Sequence, residues 1–83
     1  MQKFYIRAER VEQGMFSDER IVSLQVDGSA ITLIVDRGDI RRDDQLRVNV
    51  LQQQGKRSLI DLPREPVTGS TRLVVPSEML HQE

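Results

Sequence analysis

The residues of this chain that could carry out chemistry are few, and their spacing argues against catalysis. The only histidine, His81, stands near the end of the sequence, where chains commonly fray, and there is no cysteine. A hydrolase needs a nucleophile with a positioned base, a pair of carboxyl groups with different pKa values, or a metal. No carboxylate pair stands in an apolar stretch that would separate the two proton affinities. We therefore expect a protein that is not an enzyme and uses no cofactor.

The densest acidic segment offers oxygen ligands for a metal ion, but its pattern favours a solvated loop. Its acids are Asp36, Asp39, Asp43 and Asp44, and its interleaved arginines are Arg37, Arg41 and Arg42. The spacing is not that of a calcium-binding EF-hand loop, and the arginines neutralise the acids locally. The tripeptide Arg37-Gly38-Asp39, an integrin-binding sequence, is more simply interpreted as a turn with positive φ at the glycine. We expect no metal site here.

An arginine-rich surface makes nucleic-acid binding the alternative function. The basic residues that could converge are Arg37, Arg41, Arg42, Arg47 and Arg57, with Lys56 beside them. Barrels that bind single strands also need aromatic side chains on which bases stack. Tyr5 alternates out of phase with the core residues of its strand, so it is the one aromatic expected to face outward. No glycine-rich phosphate loop accompanies these residues, because the five glycines are scattered singly.

Charge and hydropathy limit the environment of the protein. Thirteen acidic and twelve basic residues give a net charge of −1, so the chain as a whole is not a polycation that would bind nucleic acid without specificity. The first ten residues carry charge, which argues against a signal peptide, and the apolar runs are too short to cross a bilayer. We expect a cytoplasmic protein that does not engage membranes.

The elements that must position any site are short β-strands. Apolar residues alternate with polar ones in six segments separated by Gly, Asp and Pro. The alternating residues are Phe4, Ile6 and Ala8; Val22, Leu24 and Val26; Ile31, Leu33 and Val35; Leu46, Val48 and Val50; Ile60 and Leu62; Leu73 and Val75. This pattern predicts an all-β protein, a single domain over residues 1–83. We expect a small antiparallel barrel of five to six strands, SH3-like or OB-like.

The hairpin around Asp27-Gly28 has a register that can be predicted. This dipeptide favours a type I′ turn, in which both central residues have positive φ. A two-residue loop then pairs Leu24 with Ile31 on the core face and Ile21 with Ile34 on the opposite face. The remaining predicted pairs are Val26 with Ser29, Val22 with Leu33, Gln25 with Ala30, and Ser23 with Thr32.

The next hairpin is predicted with a three-residue loop at residues 53–55. That loop pairs Val48 with Ile60 and Leu46 with Leu62, and it places Gly55 in the left-handed region.

Three segments are ambiguous. Residues 8–13 have helical spacing but continue a strand pattern, and we expect a strand that breaks near Val11. Residues 63–66 contain two prolines and must form an edge or a loop. Residues 76–80 are expected to form one helical turn.

Protein–protein contact is the function that the residues favour. Ile21 and Ile34 are predicted to form an apolar pair on an otherwise polar face, and Leu51 and Leu59 are also out of phase with the core. The alternative is that a closing strand or the C-terminal turn covers these residues. Met15 and Phe16 stand in a predicted loop, where they either plug the barrel or contact a partner, and the plug is favoured. We predict a partner surface at Met15, Phe16, Ile21 and Ile34, facing another protein or a second copy of the chain.

Overall fold

The computed structural model describes residues 3–82, which form two antiparallel β-sheets. The larger sheet contains β1 (Phe4–Arg7), β5 (Ile40–Arg41), β6 (Gln45–Gln54), β7 (Arg57–Asp61), β8 (Arg72–Pro76) and β9 (Leu80–Gln82). The smaller sheet contains β2 (Arg10–Gln13), β3 (Glu19–Val26) and β4 (Ser29–Asp36). Single 3₁₀ turns, Arg37–Asp39 and Ser77–Met79, precede β5 and β9. The prediction of an all-β antiparallel protein is confirmed.

Within residues 3–82 the strand pairing does not close into a barrel. The larger sheet has the order β8-β7-β6-β1-β9, with β5 also paired to β6, and the smaller has the order β2-β3-β4. The chain changes sheets in one residue step, because the Ala8 N–H donates to the Asp44 carbonyl and the Glu9 N–H donates to the Ser23 carbonyl. Successive amides of an extended chain point to opposite sides, so Ala8 and Glu9 connect the two sheets. Strands β8 and β9 remain the edges of the larger sheet.

The core lies between the two sheets and is built from the predicted alternating residues. The buried members are Ile6, Ala8, Val22, Leu24, Val26, Leu33, Val35, Leu46, Val48, Ile60, Leu62 and Val75. Phe4, Ile31, Val50 and Leu73 pack against them at the margin. Each fully buried Leu, Ile or Val side chain contributes roughly 1.5–3 kcal/mol by leaving water. All six predicted segments therefore supply the core, which confirms the faces assigned to them.

The β3–β4 hairpin has the predicted register throughout. Leu24 opposes Ile31 and Ile21 opposes Ile34, and the other four predicted pairs are also present. Asp27 has φ 50° and Gly28 has φ 81°, as a type I′ turn requires.

The predicted register of the β6–β7 hairpin is wrong. The loop has two residues, Gly55 and Lys56, and Ile60 opposes Val50 rather than Val48. Gly55 does have positive φ (60°), which suits the first position of a type II′ turn. The difference begins at the turn, which is formed by Gly55 and Lys56 instead of residues 53–55, and a β-bulge at Leu51 then changes the register by one residue.

The ambiguous segments are settled by their hydrogen bonds. Residues 10–13 form strand β2, as expected, but the break falls at Ala8 and Glu9 rather than near Val11. Residues 63–66 form a loop in which Pro66 makes an isolated antiparallel bridge to Leu33. The predicted turn near the C-terminus is present at Ser77–Met79. The interpretation of Arg37–Asp39 is wrong, because this segment is a 3₁₀ turn in which Gly38 lacks positive φ.

Candidate protein-binding face

The register of β3 and β4 puts two isoleucines on the outside of the smaller sheet. Ile21 and Ile34 are Cα partners, and they alternate with the buried residues Val22, Leu33 and Val35. Alternation along both strands fixes their side chains on the face away from the core. Ile34 is 47% exposed and Ile21 is partly exposed. The apolar pair predicted from the sequence is therefore present at the surface.

The loop between β2 and β3 presents Met15 and Phe16 to solvent. Met15 is 88% exposed and Phe16 is 62% exposed, so the prediction that they plug the interior is wrong. The Gly14 N–H donates to the Glu19 carbonyl, and the Glu19 N–H donates to the Phe16 carbonyl. A Cβ at Gly14 would lie 2.8 Å from the Glu19 Cβ, so this tight closure depends on glycine. The loop is shaped by its own backbone and not by burial of Met15 and Phe16.

The four predicted partner residues lie at one end of the smaller sheet. Glu19 follows the loop directly and opposes Asp36, and Ile21 and Ile34 are two residues further along β3 and β4. Two residues of a strand span about 7 Å, so the loop and the isoleucine pair are neighbours. We call Met15, Phe16, Ile21 and Ile34 together the apolar face.

A fifth apolar residue, Val67, extends the apolar face and was missed by the sequence analysis. The Val67 N–H donates to the Thr32 carbonyl, next to the bridge between Pro66 and Leu33. Val67 is 71% exposed. It stands in a Pro- and Gly-containing loop with no alternating pattern, so only the contact with β4 reveals where it lies.

A second, separate apolar strip lies on the larger sheet. Leu59 opposes Val74 on β8, and Leu51 occupies the bulge of β6. Leu51 and Val74 are 46% and 47% exposed, and Leu59 is partly exposed. The prediction that Leu51 and Leu59 are out of phase with the core is consistent with these exposures.

The arginines of the alternative hypothesis do not all lie together: Arg41 and Arg47 are both beside Tyr5, but Arg57 is remote from them. Arg57 opposes Gln54, seven residues along β6 from Arg47, which corresponds to roughly 20 Å. Arg47 pairs with Asp39 at 3.1 Å, and Arg57 makes two hydrogen bonds to Asp27 at 2.7 and 3.3 Å. Arg37 and Arg42 are exposed near the Arg37–Asp39 turn and the β5–β6 turn. Within residues 3–82, the guanidinium groups of Arg47 and Arg57 thus already have a carboxylate partner.

Tyr5 differs from the expected stacking platform. It is only 7% exposed, although it points away from the main core cluster. The guanidinium of Arg41 lies 3.7 Å from the centroid of the ring and covers one of its faces, a cation–π contact. The Arg41 Nε also donates to Gln45 Oε1 at 2.8 Å, which holds the guanidinium in place. In this arrangement the ring has no open face for a base.

The Arg57–Asp27 pair joins the tips of two hairpins from different sheets, and it should affect the pKa of Asp27. Hydrogen bonds from Arg57, assisted by its charge, hold the pKa of Asp27 below its ordinary value. We expect Arg57→Gln to raise the pKa of Asp27 toward about 3.9, measured by NMR titration of the side-chain carboxyl carbon. Arg47→Gln is the control and should leave that pKa unchanged.

The same linkage fixes the pH dependence of the pair. Because the pKa of Asp27 is lower in the folded state, the contribution of the pair to stability is present in full above the unfolded pKa. It is lost as the pH falls through the folded pKa. The wild type and Arg57→Gln should therefore differ in stability at neutral pH, and the difference should shrink at acid pH. An equal difference at both pH values would contradict this assignment.

A polar cleft lies beside β6. It has a volume of about 530 Å³, and its lining includes Lys3, Asn49 and Asp61. Two ion pairs, Arg47–Asp39 and Arg64–Asp36 (3.0 Å), also belong to its walls. In each pair the two opposite charges already compensate each other within the chain.

Residues 3–82 contain no group of three His, Asp or Glu side chains that could hold a metal ion. Asp43 and Asp44, from the acidic segment, have positive φ (66° and 56°) and form the turn before β6. His81 lies exposed on the edge strand β9. In the same residues no helix is long and apolar enough to span a membrane.

The chain matches no protein-family model, no curated protein and no solved structure.

Proposed function

We propose that this protein is a non-catalytic binding module that captures a protein partner through the apolar face. The observation that carries the proposal is the exposure of Met15 and Phe16, at 88% and 62%, next to the paired Ile21 and Ile34. Scattered single apolar residues are common on protein surfaces, but a cluster of large ones marks an interaction site more often than not. Methionine adapts its shape to a partner, and phenylalanine supplies a large apolar area.

The apolar face is a better candidate than the strip at Leu51, Leu59 and Val74. That strip is interrupted by Gln52, which opposes Leu59, and its most exposed member is 47% exposed. The apolar face combines two residues whose positions are fixed by the β3–β4 register with two residues on a loop that backbone hydrogen bonds close.

We infer further that the larger sheet, although its pairing does not close, has an SH3-like rather than an OB-like arrangement of strands. Three features support this: the consecutive strands β6, β7 and β8 form a meander, β1 lies between β6 and β9, and a 3₁₀ turn precedes β9. In this interpretation β2, β3 and β4 are a long excursion between the first two strands of that arrangement. Such arrangements have many roles, so the fold does not itself support the proposed function.

Site-specific photo-crosslinking tests the proposal. A photoreactive phenylalanine derivative is placed at Phe16, in the loop of the apolar face, and in a matched experiment at Gln53, exposed on β6 near the opposite hairpin tip. Irradiation in a lysate of the source cells is expected to give a discrete protein adduct from position 16 and none from position 53. The adduct is resolved by electrophoresis and digested with nuclease and with protease.

Two results would count against the proposal. Equal adducts from positions 16 and 53 would mean that capture is not confined to the apolar face. A nuclease-sensitive adduct would favour the alternative, a nucleic-acid-binding surface at Arg37, Arg41, Arg42, Arg47 and Arg57.

A further inference from the structure

We propose that the occupant of the apolar face is a basic amphipathic helix of the partner protein. This inference rests on the proposed function and specifies the chemistry of its ligand. It follows from two properties of the smaller sheet: the hydrogen bonding of its backbone and the charges that surround the isoleucine pair.

The backbone of the smaller sheet favours an occupant that satisfies its own hydrogen bonds. Ile21 is on β3, the central strand, which pairs with β2 on one side and β4 on the other. The outer side of β4 is partly covered as well, by the bridge to Pro66 and the hydrogen bond from Val67. An extended segment laid on this face would find side chains and no free backbone groups, so its own N–H and C=O groups would lose water without gaining partners. A helix pairs these groups internally.

Carboxylates surround the isoleucine pair on the outer face. Glu12 is the Cα partner of Ile21. Because Pro66 and Leu33 form an antiparallel bridge, the preceding residue, Glu65, lies beside Ile34 and continues the same row. One row nearer the loop, Glu19 and Asp36 oppose each other directly, and like charges in that position repel.

The cations on this face compensate the carboxylates only in part. Arg10 lies 3.5 Å from Glu12, and Arg64 lies 3.0 Å from Asp36. Within residues 3–82 Glu65 makes no ion pair, and the Glu19 carboxylate accepts a hydrogen bond from the Phe16 N–H at 3.3 Å. The side chain of Arg20 leaves β3 on the opposite face of the sheet, and its Nη1 donates to the carbonyls of Ser17 and Glu19. The four carboxylates thus have two ion-pair partners and one further guanidinium, that of Arg20, at the loop end, and this excess of acid favours apolar side chains flanked by lysine or arginine.

The same charges argue against a second copy of this chain as the occupant. Two copies packed by this face would bring together two sets of carboxylates in excess over guanidinium groups around one small apolar centre. The surface is also short, because Ser23 to Glu19 spans about 13 Å and the loop adds a few ångströms. A helix of about twelve residues, roughly 18 Å long, matches this length.

Two synthetic peptides of fourteen residues test the inference. Both carry leucine at positions spaced i, i+3, i+4 and i+7, and the flanking positions are lysine in one peptide and glutamate in the other. Each is titrated into the ¹⁵N-labelled protein at low salt, at concentrations where sedimentation shows the peptide to be monomeric. We expect the lysine peptide to bind at least tenfold more tightly, with amide shift changes confined to β2, β3, β4 and the Met15 and Phe16 loop.

Charge variants separate the effect of the acidic frame, which we define as the carboxylates of Glu12, Glu19, Asp36 and Glu65, from the effect of net charge. Glu12→Gln combined with Glu65→Gln should reduce the preference for the lysine peptide by about threefold to tenfold. Asp43→Asn combined with Glu78→Gln changes the net charge equally at distant exposed positions and should leave the preference unchanged. Equal loss in both doubles would overturn the role of the frame.

The outcomes distinguish this inference from the proposed function. If neither peptide binds, or both bind equally, while position 16 still crosslinks to a protein, the basic helix is wrong and the binding module stands. Shift changes outside the smaller sheet would also overturn the inference. If position 16 gives no protein adduct, the proposed function itself fails, whatever the peptides do.

Discussion

Leu24→Ala is expected to remove a large part of the stability of this domain. Leu24 is fully buried on β3, opposite Ile31, in the core between the two sheets. Truncating a buried leucine costs about 2–5 kcal/mol, because the transfer energy is lost and a cavity remains. A chain of 83 residues has about 4–12 kcal/mol in total. Urea denaturation followed by circular dichroism should show a large fall in the midpoint or no cooperative transition.

The matched control for this prediction is Leu51→Ala. The same side chain is removed from the bulge of β6, where it is 46% exposed, so the expected cost is below about 1 kcal/mol. If Leu24→Ala were as mild as Leu51→Ala, the core described above would be wrong.

The double variant Ile21→Thr, Ile34→Thr is expected to weaken partner capture at least tenfold while the fold remains. Both residues are on the outer face of paired strands, and threonine retains β-branching and high strand propensity. Their apolar contact with a partner is lost, and a tenfold loss of affinity corresponds to about 1.4 kcal/mol. Crosslinking yield from position 16 and the thermal unfolding midpoint are the two readouts.

A second double variant controls for general loss of surface hydrophobicity. Leu59→Thr combined with Val74→Thr alters the strip on the larger sheet, where these two residues are also Cα partners. It should leave crosslinking from position 16 unchanged. An equal loss in both double variants would indicate that capture depends on the total exposed apolar surface and not on the apolar face.

The β3–β4 hairpin was predictable because two independent local features agree there. Asp27-Gly28 selects a type I′ turn, and the apolar alternation of the two strands selects the same register. The isoleucine pair on the outer face followed from that register alone.

The β6–β7 hairpin was not predictable to the same degree, because its bulge has no local sequence pattern. Leu51 is followed by three glutamines, so shifting the register by one residue exposes no additional apolar side chain. The left-handed Gly55 was predicted, but the loop length was not. Bulges are set by the sheet as a whole, and here β8 and β1 constrain the strands on either side.

The remaining errors concern contacts between residues far apart in sequence. Alternation placed Tyr5 opposite the core side of β1, but only the fold brings Arg41 over its ring. Val67 joins the apolar face through a contact with Thr32, thirty-five positions earlier in the chain. Met15 and Phe16 were assigned to a loop correctly, yet their exposure depends on how Gly14 and Glu19 close that loop.

The most direct test of the binding face is the crosslinking yield from position 16 in two backgrounds, the wild type and Ile21→Thr, Ile34→Thr. We predict a discrete protein adduct in the wild type and a yield reduced at least tenfold in the double variant, with both proteins equally folded. An adduct of equal yield in the two backgrounds would contradict the claim that the apolar face binds the partner.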